Sequence, residues 1–298
     1  MVLGRKSDAL YMFGYGAGFF FWTTKLLRRT LVVNCDGMEW MRPKFSCASR
    51  WLLRLSERLG LTASDAVVAD LRCVAKYIER TYRRPVIFLP YGTPLSIEPP
   101  AWDAEAIERW RPGLSTNIKP DGYYLVLCRM EPDNDIDKIM ESFALSRTRR
   151  NLLLVGPCIS KSFLSHLREV ASRDSGQILA GPLYDAKTNN MLRWHCAAYV
   201  HTYMVGGTNP SPLEALAAGN VVIGTDVEFN RELVGNGENL LAFFFRPDPL
   251  SVAQVIDKVA QDLLSLRKRA RTWGPVRIRE EYNWQDIIHE YRSLFEKL

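Results

Sequence analysis

The chain has 298 residues, 47% hydrophobic and 24% charged, with 19 Gly and 16 Pro. These proportions suit two soluble globular domains and exclude disordered, fibrous and disulfide-dense classes. Six cysteines (Cys35, Cys47, Cys73, Cys128, Cys158, Cys196) lie 12 to 55 residues apart, with no C-x-x-C and no zinc-like Cys/His spacing. Reduced thiols in a cytosolic protein are the expectation. The longest uncharged run, residues 9–24, is short of the roughly 20 apolar residues a membrane-spanning helix needs, and no small-residue cleavage site follows it. Residues 1–119 carry 18 Lys+Arg against 11 Asp+Glu, a net +7, whereas the remainder is net −1. The first part alone is therefore expected to meet an anionic partner: lipid headgroups, a phosphorylated acceptor or nucleic acid.

In chain order, residues 9–13 read as a strand, 14–18 as a turn, 19–29 as a helix and 31–35 as the next strand. That is a β-α-β unit and implies parallel pairing. Residues 50–59 are amphipathic, 65–69 a strand, 71–81 a helix, and 86–89 a strand ending at Pro90-Tyr91-Gly92. A proline-rich stretch, 96–120, reads as a linker around one short helix, 104–110. A second series follows: strands at 123–128, 151–155, 177–180, 198–201 and 221–225, with helices at 136–147, 163–173, 187–194, 212–218 and 229–234. Helices over 251–271 and 284–297 close the chain. The reading is two doubly wound α/β domains: 1–95, a linker 96–121, 122–272, and C-terminal helices 273–298 that return to the first domain. In such folds ligands bind beyond the carboxyl ends of the strands, so post-strand loops are the places to look.

The richest such loop runs His201-Thr-Tyr-Met-Val-Gly-Gly-Thr-Asn-Pro-Ser-Pro-Leu-Glu214. Its glycines let backbone approach a ligand, and Ser211-Pro212 reads as an N-cap with Pro at the first helical position. Free N–H groups there favour a phosphate, and Glu214, one turn in, is placed to reach a ribose hydroxyl. An ordinary loop with Glu214 on a solvated face is the alternative.

Gly206-Gly-Thr-Asn-Pro-Ser-Pro-Leu-Glu-Ala-Leu-Ala-Ala-Gly219 followed by Val221-Val-Ile-Gly-Thr-Asp226 resembles the donor-site signature of family-4 glycosyltransferases, which have the GT-B fold. Asn34-Cys-Asp-Gly-Met-Glu-Trp40 with Arg42 and Lys44, Pro90-Tyr-Gly92, and Arg129-Met-Glu-Pro-Asp-Asn134 resemble the rhamnosyltransferase branch, cytosolic enzymes that build bacterial surface polysaccharide on a lipid carrier. The resemblance runs from about Ala9 to the C-terminus. It implies that Glu214 binds the nucleotide ribose, that Arg129 neutralises the donor diphosphate, and that Gly206, Gly207, Thr208 and Asn209 bring amides to the distal phosphate and sugar. His201 sits beside them, with a packed histidine as the equal alternative. The family pattern has Lys where this chain has Asn134, and Glu where it has Gly206; the rhamnosyltransferase branch shares both changes.

On the acceptor side, Asn34, Trp40 and Arg42 are the binding candidates, with Asp36 or Glu39 as a base. For Trp40 burial in a turn is the stronger alternative, and Arg42 and Lys44 either meet a pyrophosphate carrier or are solvated. Asp133-Asn134-Asp135 spells D-x-D but precedes a helix, where acidic residues serve the helix dipole. No metal and no cofactor are expected. The family's opening β-α units and first glycine-rich loop are missing from the reading, so the first domain is expected to be shortened and turnover slowed.

The resulting expectation is a metal-independent, retaining glycosyltransferase. It would use dTDP-rhamnose or a UDP-sugar and a lipid-linked saccharide, with no nucleic acid. It would lie in the cytoplasm, peripheral to the inner face of the plasma membrane. The membrane contact is read from Trp51, Leu52, Leu53, Leu55 and Leu59 interleaved with Arg50, Arg54 and Arg58. Two alternatives differ in class. One is a non-catalytic nucleotide-sugar-binding or partner module. The other, a nicotinamide oxidoreductase, fails because no G-x-G-x-x-G follows a strand with an acidic residue about 20 positions on.

Overall fold

The computed structural model describes residues 9–94, 98–235 and 242–298. Two parallel sheets organise them. The first has the order β1-β2-β3-β4, formed by β1 (Ala9–Phe13), β2 (Thr30–Cys35), β3 (Ala66–Ala69) and β4 (Ile87–Phe88). Between them lie α1 (Trp22–Leu26), α2 (Cys47–Ala63) and α3 (Arg72–Tyr82). Leu31, Val32, Val33 and Cys35 of β2 are fully buried, the continuous apolar run that a parallel strand covered on both faces requires. The 19–29 helix expected from sequence is reduced to a 3₁₀ turn, Gly18–Phe20, and the five-residue α1, which gives out before Arg28 in a left-handed conformation. In contrast, α2 is longer than its amphipathic stretch, because the Ser46 hydroxyl accepts from the Ser49 amide and starts the helix at Cys47.

Beyond α4 (Ala104–Trp110), the second sheet is built from β5 (Tyr123–Leu127), α5 (Ile136–Leu145), β6 (Asn151–Val155), α6 (Lys161–Ala171), β7 (Gln177–Gly181), α7 (Ala186–His195) and β8 (Ala198–His201). It continues through α8 (Pro210–Ala217), β9 (Val222–Thr225), α9 (Glu228–Val234) and β10 (Ala242–Phe245), followed by α10 (Pro249–Gln261), α11 (Leu263–Glu281) and α12 (Trp284–Glu296). Its order is β10-β9-β8-β5-β6-β7, every pair parallel. The chain runs outward from β5 to one side, returns, and runs outward from β8 to the other. This is the doubly wound order, with its reversal between β5 and β8. β10 is absent from the sequence reading: a four-residue apolar run, Ala-Phe-Phe-Phe, carries no period of its own.

The described structure divides into two compact Rossmann-like units. One holds the chain up to Gly92 together with Val205–Asn209 and Trp284–Leu298; the other holds Thr93–Met204 and Pro210–Asn283. The 95/96 boundary expected from sequence lies outside the described residues. The stretch beyond it is no separate linker: α4 belongs to the second unit, where Trp110 Nε1 donates to the Pro182 carbonyl at 2.9 Å and the Asp103 amide meets the Met191 sulfur at 3.0 Å. Of the C-terminal helices, α11 stays with the second unit and α12 belongs to the first.

Candidate functional site

In the second unit the site is defined by the reversal point, where β5 and β8 end side by side. Arg129 lies two residues past β5 and Tyr203 two past β8. Burial works against the Arg129 charge. A hydrogen bond to Tyr203 and the carboxylates of Glu131 and Asp133 outweigh it and raise the guanidinium's pKa. Glu131 is 3.6 Å away, and the Arg129 side chain is 56% exposed, so it stays accessible to a ligand. Asn134 is buried and its amide donates to the Arg129 carbonyl at 2.8 Å, so this Asn braces the loop that carries the arginine. Asp133 and Asn134 lie in a 3₁₀ turn. Asp135, in a left-handed conformation at the start of α5, makes no side-chain cap bond but pairs with Lys138 at 2.7 Å. Among the described residues no group of three or more His, Cys, Asp or Glu is arranged to hold a metal ion.

His201, the last residue of β8, is 3% exposed. Its ring stacks between Tyr199 (6.3 Å) and Tyr203 (5.4 Å), and its Nε2 is buried without a hydrogen-bond partner. Burial lowers its pKa to about 4, partly opposed by Asn230, so the imidazole is neutral near pH 7. Its observed role is packing, against the Tyr203 ring that follows β8.

The helix after the glycine loop starts at Pro210, two residues before the position expected from Ser211-Pro212. Proline fits the first turn, where its missing N–H costs nothing, so both prolines fall inside α8 and Ser211 is no cap. Glu214 sits one turn in. Its carboxylate is 2.5 Å from the Arg193 guanidinium, which is 6% exposed at the end of α7, whereas Glu214 itself is 40% exposed. Arg193 is a residue the sequence reading missed. It lies on a helix rather than in a post-strand loop, and no local pattern marks it.

In the first unit Asp36 follows β2 and Asp70 follows β3. Burial, then the nearby Glu39 charge, raises the Asp36 pKa. Glu39 is held by Arg42 at 3.0 Å, and its backbone amide donates to the buried Tyr15 hydroxyl at 2.9 Å. Asn34 is fully buried at the end of β2, with its amide 3.4 Å from the Tyr91 hydroxyl. Trp40 is engaged in packing: its Nε1 donates to buried Glu57 at 3.2 Å, and the Arg54 guanidinium covers one ring face at 3.9 Å. Lys44 is exposed, its amine 5.7 Å from the Phe45 ring.

The loop Val205–Asn209 belongs to this unit although it lies between β8 and α8 in sequence. The Thr208 amide donates to Asp70 Oδ2 at 2.6 Å and its hydroxyl to the Asp70 carbonyl at 2.5 Å. A Cβ on Gly207 would stand 2.2 Å from Asp70 Oδ2 and 2.8 Å from the Asp36 carbonyl, so only glycine fits. Gly37, at φ +117°, would carry a Cβ 2.6 Å from the Gly206 backbone. Asp36, Gly37, Asp70 and the Gly206–Thr208 segment thus form one cluster, with Asn209 following it. Asp70 went unremarked in the sequence, although its place directly after a strand is the signal that finds it.

A family model described as "Glycosyl transferases group 1" matches residues 114–274, more than half of the chain. The chain belongs to the glycosyl transferases of group 1. A second model, "Domain of unknown function (DUF1972)", matches residues 4–94. No curated protein sequence matches significantly. Among solved structures, Anabaena HepE in complex with UDP and glucose superposes with a TM-score of 0.81 over 98% of this chain and 78% of its own, at 16% identity. Sucrose-phosphate synthase from Thermosynechococcus elongatus gives 0.78 over 97% and 73%, at 16% identity. TarM from S. aureus gives 0.71 over 97% and 55%, at 11% identity. The two Rossmann-like units are those of the GT-B fold. No helix among the described residues is long and apolar enough to cross a membrane.

Proposed function

We propose that this group 1 glycosyltransferase moves a sugar, rhamnose by its motif resemblance, from a nucleotide diphosphate donor such as dTDP-rhamnose or a UDP-sugar to a hydroxyl of a lipid-linked saccharide in surface polysaccharide synthesis. The observation that carries the reading is Arg129. It is a half-exposed arginine beside Tyr203 at the reversal point of a doubly wound sheet, where a diphosphate is expected to dock. A donor-site role for Glu214 on the ribose is supported by its accessible carboxylate, which Arg193 fixes from behind. The HepE structure holds UDP and glucose, and a UDP-sugar donor is in keeping with that.

In the proposed reaction the bond from the anomeric carbon to the diphosphate oxygen breaks, and the acceptor oxygen forms its bond on the same face, with retention. Arg129 and loop amides stabilise the departing diphosphate without a metal. The acceptor hydroxyl's proton leaves to a carboxylate of the first unit. Asp36, with its raised pKa, suits that role better than Glu39, which Arg42 neutralises. Asn34 and Arg42 remain the proposed acceptor-binding residues. Trp40, the third proposed acceptor-binding residue, is also engaged by Arg54, Tyr77 and Glu57. We place the protein in the cytoplasm, with the basic first unit against the inner face of the plasma membrane.

A thermal-shift panel of dTDP, UDP, GDP and their sugars tests the donor assignment. One nucleotide should raise the melting temperature in proportion to the logarithm of its concentration. No response to any of them would refute it. Release of nucleotide diphosphate in the presence of a lipid-linked acceptor separates an enzyme from a non-catalytic binding module.

A further inference from the structure

A cavity of about 690 Å³ lies within the first unit, lined by residues of α2, the end of α3 and Arg84. Its volume is that of a small-ligand pocket. Three guanidinium groups line it, those of Arg54, Arg58 and Arg84, and no carboxylate does. Tyr82, also in the wall, turns its hydroxyl away to the buried Glu57 at 2.5 Å, where Tyr77 and Trp40 also donate. That carboxylate is therefore committed elsewhere.

Each arginine is placed by a different contact. Arg54 lies over the Trp40 ring at 3.9 Å, and Arg84 donates to the Ser64 carbonyl at 2.8 Å. Arg58 is exposed and makes no ion pair among the described residues. Arg54 and Arg58 are one helical turn apart, so their like charges destabilise α2 unless an anion lies between them. The remaining wall mixes apolar Leu55, Leu61 and Trp51, which is 66% exposed, with the hydroxyl-bearing Thr62 and Thr81.

We propose that this cavity binds a phosphate ester, its phosphate held by Arg54, Arg58 and Arg84 and its organic part lying on Trp51 and Leu55. A planar fork suits phosphate, and three forks around one pocket favour a doubly charged head over a carboxylate. The site is independent of the donor site at Arg129, and the inference does not rest on glycosyl transfer.

Calorimetry with three probes tests it: dihexanoyl phosphatidic acid, inorganic pyrophosphate, and dihexanoyl phosphatidylcholine, whose phosphate is masked by choline. Phosphatidic acid should bind saturably, one per chain. Binding should weaken at high salt and fall about tenfold or more in Arg54→Gln/Arg58→Gln. Trp51→Ala should weaken the lipid but leave pyrophosphate unchanged. Strong lipid binding with weak pyrophosphate binding identifies the source as a lipid headgroup. Equal binding, with both lost in the double variant, identifies a soluble phosphate compound at the same site. Pyrophosphate binding lost in Arg129→Ala but kept in the double variant would place the anion at the donor site and overturn the proposal. So would the absence of saturable binding, or equal affinity for phosphatidylcholine. Should the double variant fail to fold by circular dichroism, Arg58→Gln alone carries the test, since that side chain is exposed.

Discussion

At the scale of single residues, Glu214 pairs with Arg193 and is proposed to bind the nucleotide ribose, and substitutions can separate the two. Its carboxylate compensates a buried guanidinium, so Glu214→Ala should destabilise the protein by about 1–3 kcal/mol, less than a fully buried pair because Glu214 is 40% exposed. Glu214→Gln keeps a hydrogen-bond acceptor for Arg193 and should cost less stability while still weakening nucleotide binding; calorimetry against the responding nucleotide checks this. If Arg129 holds the diphosphate as proposed, Arg129→Ala should weaken diphosphates far more than the matching nucleoside. His201 gives a pH signature. Its folded pKa is about 4 against 6.5 for a free imidazole. Between these values the unfolded chain takes up a proton that the folded chain refuses, so stability falls as pH drops through the window, by as much as about 3 kcal/mol. Denaturant titrations of His201→Gln should show a flatter acid limb than wild type.

At the scale of elements, the glycine loop makes a contrast between neighbours. Gly207→Ala should drive a methyl into the Asp70 carboxylate, break the bonds that pin Thr208, and cost about 1–3 kcal/mol. Gly206→Ala meets nothing within 4 Å and should leave the melting temperature essentially unchanged. The sequence shows two adjacent glycines and cannot rank them, because the difference is made by Asp70, well over a hundred residues away. The same distance rule governs the rest of the site. The positions of Arg129, Glu214 and the loop were legible because they are local features, a post-strand position or a helix start. Arg193 behind Glu214 and Arg54 over Trp40 depend on which helix faces which, and no periodicity encodes that. Strands buried on both faces announced themselves, whereas β10 and the ragged 18–26 segment were misjudged because short apolar runs carry no period.

At the scale of the whole molecule, the chain order of elements is not the order of the units. α12 comes last in sequence, yet it belongs with the first sheet. Leu294 is buried in a cluster with Val32 of β2, Val68 of β3 and Leu89, while Tyr291 and Phe295 lie 6.0 and 5.9 Å from Tyr11 of β1. Residues 1–92, with 15 Lys+Arg against 7 Asp+Glu, thus belong to a unit whose core α12 helps to close. Leu294→Asp puts a charge into that cluster and removes apolar contact from the first sheet only, at a cost of about 3 kcal/mol or more. Hydrogen exchange should then accelerate across β1–β3, while β5, β6 and β8 keep their protection and the nucleotide still raises the melting temperature of the second unit. Equal loss of protection in both sheets would show instead that the two units fold as one cooperative body, with α12 a keystone for the whole chain.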